Sequence, residues 1–236
     1  MSEQFSASRA ARHMACHASA HLELAIPNWT PPVVDQMAGA KGQGTRMHEM
    51  LEPLWMLSPT NLRHVGNVVD YVARLRATRR FNVLVEEKVV ADWLPSAPST
   101  TADLVLYVQD ESHVIDFNWG KIPVEVIDNE QVLYYARSYA HLAPKAKGVT
   151  GHIVQPYADV FESWFMDTAE LLRFETKAIA TDTAITAGST SFGPSDHCTF
   201  CPAYPHSRSD KGKPLCPATM AMLYPPIIDE DEILNG

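Results

Sequence analysis

Apolar positions along this chain change period twice. Ser58-Pro59 places an N-cap residue before a proline at the first helical position, and Leu62, Val65, Val69, Val72 and Leu75 then recur at three-to-four spacing, which predicts a helix. From Phe81 the period shortens. Phe81 to Val90, Ala102 to Val108 and His113 to Phe117 are β-branched runs bounded by turn residues, and they predict adjacent strands. A helix from about Asn129 to Leu142 follows, then a strand at His152 to Gln155 and a long helix from about Ala158 to Ala180. Upstream, Ser6 or Ser8 can cap a first helix running to about Ala25, with Arg9, Arg12 and Cys16 on it. Pro27 to Gly44, rich in proline and glycine, reads as a long loop, and a further helix begins near Thr45 and carries His48, Glu49 and Glu52.

This order of elements predicts an α/β fold, a mixed central sheet flanked by helices. With 236 residues and 46% hydrophobic content, one domain is the economical reading. No apolar run approaches the roughly 18 residues needed to cross a bilayer. The start, Met-Ser-Glu-Gln, has no apolar stretch, so a reducing, cytoplasmic setting without membrane contact is expected. A formal net charge of -9, with an acidic tail at Asp229 to Glu232, argues against a passive, charge-driven nucleic-acid binder. A metal-dependent enzyme acting on nucleic acid stays open, since its basic residues need only be local. Arg74, Arg76, Arg79 and Arg80 form one such cluster, Lys145 and Lys147 another; for each taken alone, a solvated helix face is the simpler reading.

The cysteines change the picture more. Cys16 stands alone near the N-terminus, while Cys198, Cys201 and Cys216 crowd near the C-terminus, the first two as C-x-x-C. Four thiolates are the ligand count of one tetrahedral Zn²⁺ or one cubane iron-sulfur cluster. Zinc ribbons pair one C-x-x-C with another, so a one-plus-three split across a whole domain favours the cluster. Disulfides fit neither the expected compartment nor the low cysteine density.

Carboxylates supply the second candidate centre. Asp103 opens the run Leu104-Val105-Leu106, Asp116 closes Val114-Ile115, and Glu86 lies on the preceding strand. Neighbouring strands can bring such residues together, and hard oxygen ligands suit Mg²⁺ or Mn²⁺ in phosphodiester hydrolysis. Strand alternation puts Asn118 on the same face as Asp116.

Taken in order, Gly44-Thr45-x-x-His48, Val85-Glu86-x-Lys88-Val89, Thr101-Ala102-Asp103, Val114-Ile115-Asp116-Phe117, Gln131-x-x-x-Tyr135 and the cysteine tail resemble the RecB-like branch of the PD-(D/E)xK nucleases. The likeness extends to a phage group of that branch with a four-cysteine cluster, akin to the AddB nuclease and the CRISPR-associated cluster-containing exonuclease. It implies a restriction-endonuclease-like core over 45–180, a first cluster ligand on the helix at 1–26, a cluster-binding segment at 190–220, and an acidic tail at 221–236. His48, Asp103 and Asp116, with the carbonyl of Phe117, would hold Mg²⁺ or Mn²⁺; Glu86 would support them; Gln131 and Tyr135 would position substrate and catalytic groups. Cys16, Cys198, Cys201 and Cys216 would hold a [4Fe-4S] cluster joining the termini. The implied activity is DNA exonuclease, on single strands or duplex ends.

One position departs from the pattern. The resemblance calls for lysine two residues after Asp116, and the chain has Asn118, a neutral amide. Lys121, three residues on, is the candidate for the missing charge. A non-catalytic DNA-binding or assembly protein on the same fold is the alternative, and a zinc-stapled structural protein a third. The spacer between Cys201 and Cys216, with His206, Arg208, Lys211 and Lys213, is expected to form a DNA-facing loop.

Overall fold

The computed structural model describes residues 5–24, 59–120, 122–201, 203 and 216–218. A 3-10 turn at Ala7–Arg9 leads into α1 (Ala10–Ala15) and α2 (Ala18–Leu24); α3 (Pro59–Thr78) precedes the strands. These are β1 (Asn82–Val85), β2 (Lys88–Val90), β3 (Ser99–Thr101), β4 (Leu104–Val108) and β5 (Glu111–Phe117). Then come α4 (Glu130–Tyr139), β6 (Gly148–Gln155), β7 (Val160–Asp167) and α5 (Thr168–Thr186). The main sheet runs β1-β4-β5-β6-β7, with β5 and β6 parallel and the other neighbours antiparallel, while β2 and β3 pair separately. This is the mixed sheet with flanking helices that the periodicity predicts.

Alternation on the central strands sorts the core into two layers. Leu104, Leu106, Ile115 and Val154 face Val65 and Val68 of α3. Val105, Val114, Val149 and Ile153 face the opposite way, against Tyr134 and Tyr135 of α4, Phe174 of α5 and Ala10 of α1. Asp103 and Asp116 share the parity of Val105 and Val114, so they belong to the α4 side. A buried polar chain helps fasten α3 to the sheet: Tyr71 Oη to His152 Nδ1 at 2.7 Å, His152 Nε2 to His113 Nδ1 at 2.9 Å, and His113 Nε2 to Glu111 Oε1 at 2.9 Å. Burial first, and His113 second, push His152 down to about 3, so it stays neutral at ordinary pH.

Three expectations change. The long helix expected from Ala158 is β7 followed by α5: residues 160–167 alternate as a strand paired along the whole of β6, and the helix starts only at a capping box in which Asp167 Oδ1 accepts from Glu170 N–H. The run Phe81 to Val90 is two strands in two sheets, because the chain turns at Glu86, whose φ is +48°. Glu86 is therefore an exposed residue just past β1 rather than a strand residue. The first helix breaks at Cys16, which is extended (φ -147°, ψ 96°), while Ala18 N–H goes to Ser191 O instead of continuing the helix. The helix expected near Thr45 lies outside the described residues, as do the acidic tail and most of the spacer after Cys201. Of the basic cluster, Arg79 is bound by Asp110 and Glu111 at 2.9 Å each, and Arg74 lies over the Tyr71 ring. No helix among the described residues is long and apolar enough to cross a membrane.

Helix α4 packs closely on β6 through Gly151. A Cβ there would lie 2.2 Å from Val132 Cγ1 and 2.8 Å from Met166 Cε, and Val132 is buried on a helix with little rotamer freedom. Gly151→Ala should lower stability by about 1–3 kcal/mol. Gly66, inside α3 with open space around it, should do the reverse, and Gly66→Ala should add about 0.5–1 kcal/mol. Urea unfolding of both variants checks the pair; equal effects of one sign would refute the packing account.

Candidate functional site

The antiparallel register of β4 and β5, Leu104 opposite Ile115, places Asp103 and Asp116 across from each other where the two strands end. Each carboxylate accepts a hydrogen bond from a neighbouring residue. Asp103 Oδ2 accepts from Phe117 N–H at 2.6 Å, and Asp116 Oδ1 accepts from Gln131 Nε2 at 2.9 Å. Gln131 also donates to Tyr135 Oη at 3.3 Å, one helical turn further along α4. The side chain of Asn129 caps that helix by accepting from Gln131 N–H and Val132 N–H, which fixes where the first turn starts.

Protein packed round the Asp116 carboxyl, and then the charge of Asp103, push it up to about 7; the Gln131 hydrogen bond opposes this. Tyr135 is pushed up by burial and by both aspartates. Two like charges held together at half-buried positions are unfavourable by themselves and would be relieved by a cation. Among the described residues no three His, Cys, Asp or Glu side chains are set for a single metal ion. Here the structure brings together two carboxylates; His48, the expected third ligand, and Lys121 lie outside the described residues. Glu86 neighbours the pair through its backbone, its N–H donating to Asp103 O at 3.0 Å. Asn118 is committed to a turn, its Oδ1 accepting from Gly120 N–H at 2.7 Å.

Two residues beyond the expected set complete the surroundings. Tyr139 Oη accepts from Ala102 N–H at 3.2 Å and donates to Glu87 O, which ties the turn after β1 to the residue before Asp103. Gln131, Tyr135 and Tyr139 lie four apart, and that spacing was the available signal. Gln155, fully buried at the end of β6, accepts from Val124 N–H at 3.0 Å and donates to Gly120 O at 3.1 Å and Ile122 O at 2.6 Å. Its amide continues the β5–β6 pairing after β5 has left the sheet. A glutamine closing an apolar strand carries no such signal in the sequence.

The four cysteines meet at a second place. Cys16, Cys198, Cys201 and Cys216 all line one cavity of about 20 Å³. Segment 189–195 reaches it by passing close over α1: a Cβ on Gly193 would sit 1.8 Å from Ala15 O. His17 Nδ1 meets Ser189 Oγ at 3.1 Å, and Ser195 N–H points at Cys198 Sγ at 3.4 Å. Burial pushes the Cys201 thiol up. All four cysteines line this cavity, but no three of them are set for a single metal ion.

Residues 57–235 match the family model described as Protein of unknown function (DUF2800). The chain belongs to the DUF2800 family. Both aspartates, Gln131, Tyr135 and three of the cysteines of this DUF2800 chain fall within the matched segment, whereas Cys16 and His48 precede it. No curated protein matches. Among solved structures, the crystal structure of SSO0001 is similar at 11% identity, with 93% of this chain and 88% of that one covered and a TM-score of 0.50. That likeness concerns the fold alone.

The raised Asp116 value fixes a sign. A folded-state carboxyl that holds its proton more tightly than the unfolded chain makes stability fall as pH climbs from the ordinary carboxylate value towards 7. With metal removed, Asp116→Asn should flatten that decline and be roughly 1–4 kcal/mol more stable than wild type at pH 8. Denaturant unfolding across pH 4.5–8 in chelator measures it, and an unchanged slope in the variant would locate the titration elsewhere.

Proposed function

We propose that this DUF2800 protein is a metal-dependent deoxyribonuclease of the RecB-like PD-(D/E)xK type, acting on single-stranded DNA or duplex ends in a phage setting. The observation that carries the reading is the juxtaposed pair Asp103 and Asp116 at the ends of two antiparallel strands, with Gln131 of the following helix hydrogen bonded to Asp116. With Asp116 raised by burial and then by Asp103, the pair carries an electrostatic cost that a bound cation would offset. Asp103 and Asp116, with the Phe117 carbonyl and His48, would hold Mg²⁺ or Mn²⁺. When bound, the cation supplies activation of water and neutralises charge that develops on the phosphate. Gln131 keeps Asp116 in one rotamer and leaves its second oxygen for the cation. Tyr135, unionised at working pH, holds Gln131 from the other side, and Tyr139 fixes the backbone next to Asp103. Lys121 is proposed as the charge near the scissile phosphate and Glu86 as a supporting acid.

The four cysteines are proposed to hold a [4Fe-4S] cluster that cross-links the N-terminal helices to the chain's end. Support comes from their sharing one cavity although about 180 positions separate Cys16 from the C-x-x-C pair. Ligation would then contribute directly to folding free energy.

A second reading, a DNA-binding protein with weakened or lost catalysis, is favoured by Asn118, whose amide oxygen is engaged with Gly120 N–H and which carries no charge. The two are separated on linear single- and double-stranded DNA with Mn²⁺. On the enzyme reading wild type cuts, Asp116→Asn does not, and Lys121→Ala is slower by about two to three orders of magnitude. Mn²⁺ should also raise the melting temperature of wild type more than that of Asp116→Asn. Wild type that binds but does not cut, while Asn118→Lys cuts, would establish the second reading; no cutting, no DNA binding and no Mn²⁺ shift would sink both.

A further inference from the structure

Both basic clusters of the chain come to the same end of the main sheet. β4 and β5 turn round at Gln109 and Asp110, at the opposite end from Asp103 and Asp116. At that turn Lys145 donates twice to Gln109, from its N–H to the carbonyl oxygen at 2.8 Å and from Nζ to Oε1 at 3.1 Å. Arg79 reaches Asp110 and Glu111, which ties the chain between α3 and β1 to the same turn. Arg76 and Arg80, both exposed, line an open concavity of about 590 Å³ together with Arg79, Ala73, Ala77 and Phe81. No carboxylate is among its described lining residues.

The three arginines are not equivalent. Arg79 is paired with two carboxylates, and Arg76, in the last turn of α3, also complements the helix dipole. Arg80 lies past Thr78, beyond the helix, and neither Arg76 nor Arg80 makes an ion pair with a described residue. Two cations on one concavity repel each other, and an anion between them relieves that repulsion. The guanidinium fork matches paired phosphate oxygens, and in a chain of net charge -9 a local basic patch decides where a polyanion can land. β1, at the edge of the main sheet among the described residues, joins this concavity to the acid pair. Arg80 precedes β1 by two residues, and Glu86, just past it, donates its N–H to Asp103 O at 3.0 Å. At strand rise that path is about 20 Å long, the span of about six phosphates along one strand of a duplex.

We propose that Arg76 and Arg80 form a phosphate-backbone anchor for duplex DNA, holding it about 20 Å from Asp103 and Asp116 along the β1 edge. The inference rests on the DNA reading above and adds to it the place where the flanking duplex is held; it does not depend on whether the protein cuts.

The test measures binding of the full chain to a fluorescein-labelled duplex of about 20 base pairs by anisotropy, in chelator so that nothing is cut, over a series of NaCl concentrations. Arg76→Gln/Arg80→Gln should bind roughly tenfold more weakly at low salt. Its plot of log affinity against log salt should be shallower by about two, about one for each lost phosphate contact. Each single variant should show about half of that change in slope. Arg173→Gln makes the same charge change at an exposed position of α5, on the other side of the sheet, and should bind as wild type does. Far-UV circular dichroism and melting temperature check folding; should the double variant not fold, Arg80→Gln, outside any helix, carries the test. Wild-type affinity and slope in the folded Arg76→Gln/Arg80→Gln protein, or in Arg80→Gln where that variant carries the test, overturn the proposal, as does an equal loss in Arg173→Gln. Wild type that binds no duplex at any salt overturns the DNA reading and this inference together, whereas wild type and double variant that bind equally well remove the anchor alone.

Discussion

The register of one hairpin underlies the candidate centre. β4 and β5 pair with Val108 opposite Glu111 and Leu104 opposite Ile115, so the residues just outside that last pair, Asp103 and Asp116, face each other. Strand side chains alternate with period two, and a slip of one residue would carry Asp116 to the α3 side, away from Gln131 and among Leu106 and Ile115. The apolar alternation of both strands resists that slip, because Val105 and Val114 would have to leave one core layer for the other. Core packing and the geometry of the acids are thus one constraint. The electrostatic strain of the pair, visible in the raised Asp116, is borne by the same hydrophobic register.

The parallel pairing of β5 with β6 extends this frame to the helix side. Asp116 lies opposite Ile153 and Phe117 opposite Val154, and Asn118 N–H still donates to Val154 O at 3.0 Å. Beyond that point the backbone ladder stops and the Gln155 amide takes its place, holding Gly120, Ile122 and Val124. The connection from Asp116 to Gln131 is therefore anchored at both ends, by Gln155 and by the Asn129 cap. Fixed connections of this kind let two side chains from different elements keep a single hydrogen-bond distance.

The cysteine centre obeys a different rule, of closure rather than register. Cys16 leaves the helical path, Gly193 permits backbone to approach Ala15, and the C-x-x-C turn closes by Cys201 N–H to Cys198 O at 2.9 Å. Contacts this far apart in sequence form late and cost loop entropy, so a ligand that bridges the sulfurs would act chiefly on the ends of the chain. The cysteine centre differs in kind from the acid pair, soft thiols in one place and hard carboxylates in the other.

Local chemistry made part of this legible in the sequence. The helical spacing of α3, the strand character around Asp103 and Asp116, the Gln131 to Tyr135 interval and the one-plus-three cysteines all depend on neighbours within a turn or a strand, and each is recognisable residue by residue. Strand β7 was read as helix because its Phe161 and Trp164 face different surroundings from its charged neighbours, and only pairing along β6 decides its period. Glu86 was read as a strand residue because nothing in Val85-Glu86-Glu87 announces a left-handed backbone at +48°. Gln155 and Tyr139 gain their meaning from partners 31 to 35 and 37 to 52 residues away, respectively. The sequence by itself determined which residues could carry chemistry and which face of each strand they take; the tertiary structure alone decided which of them meet, because long-range pairing and burial set distances that local propensity does not encode.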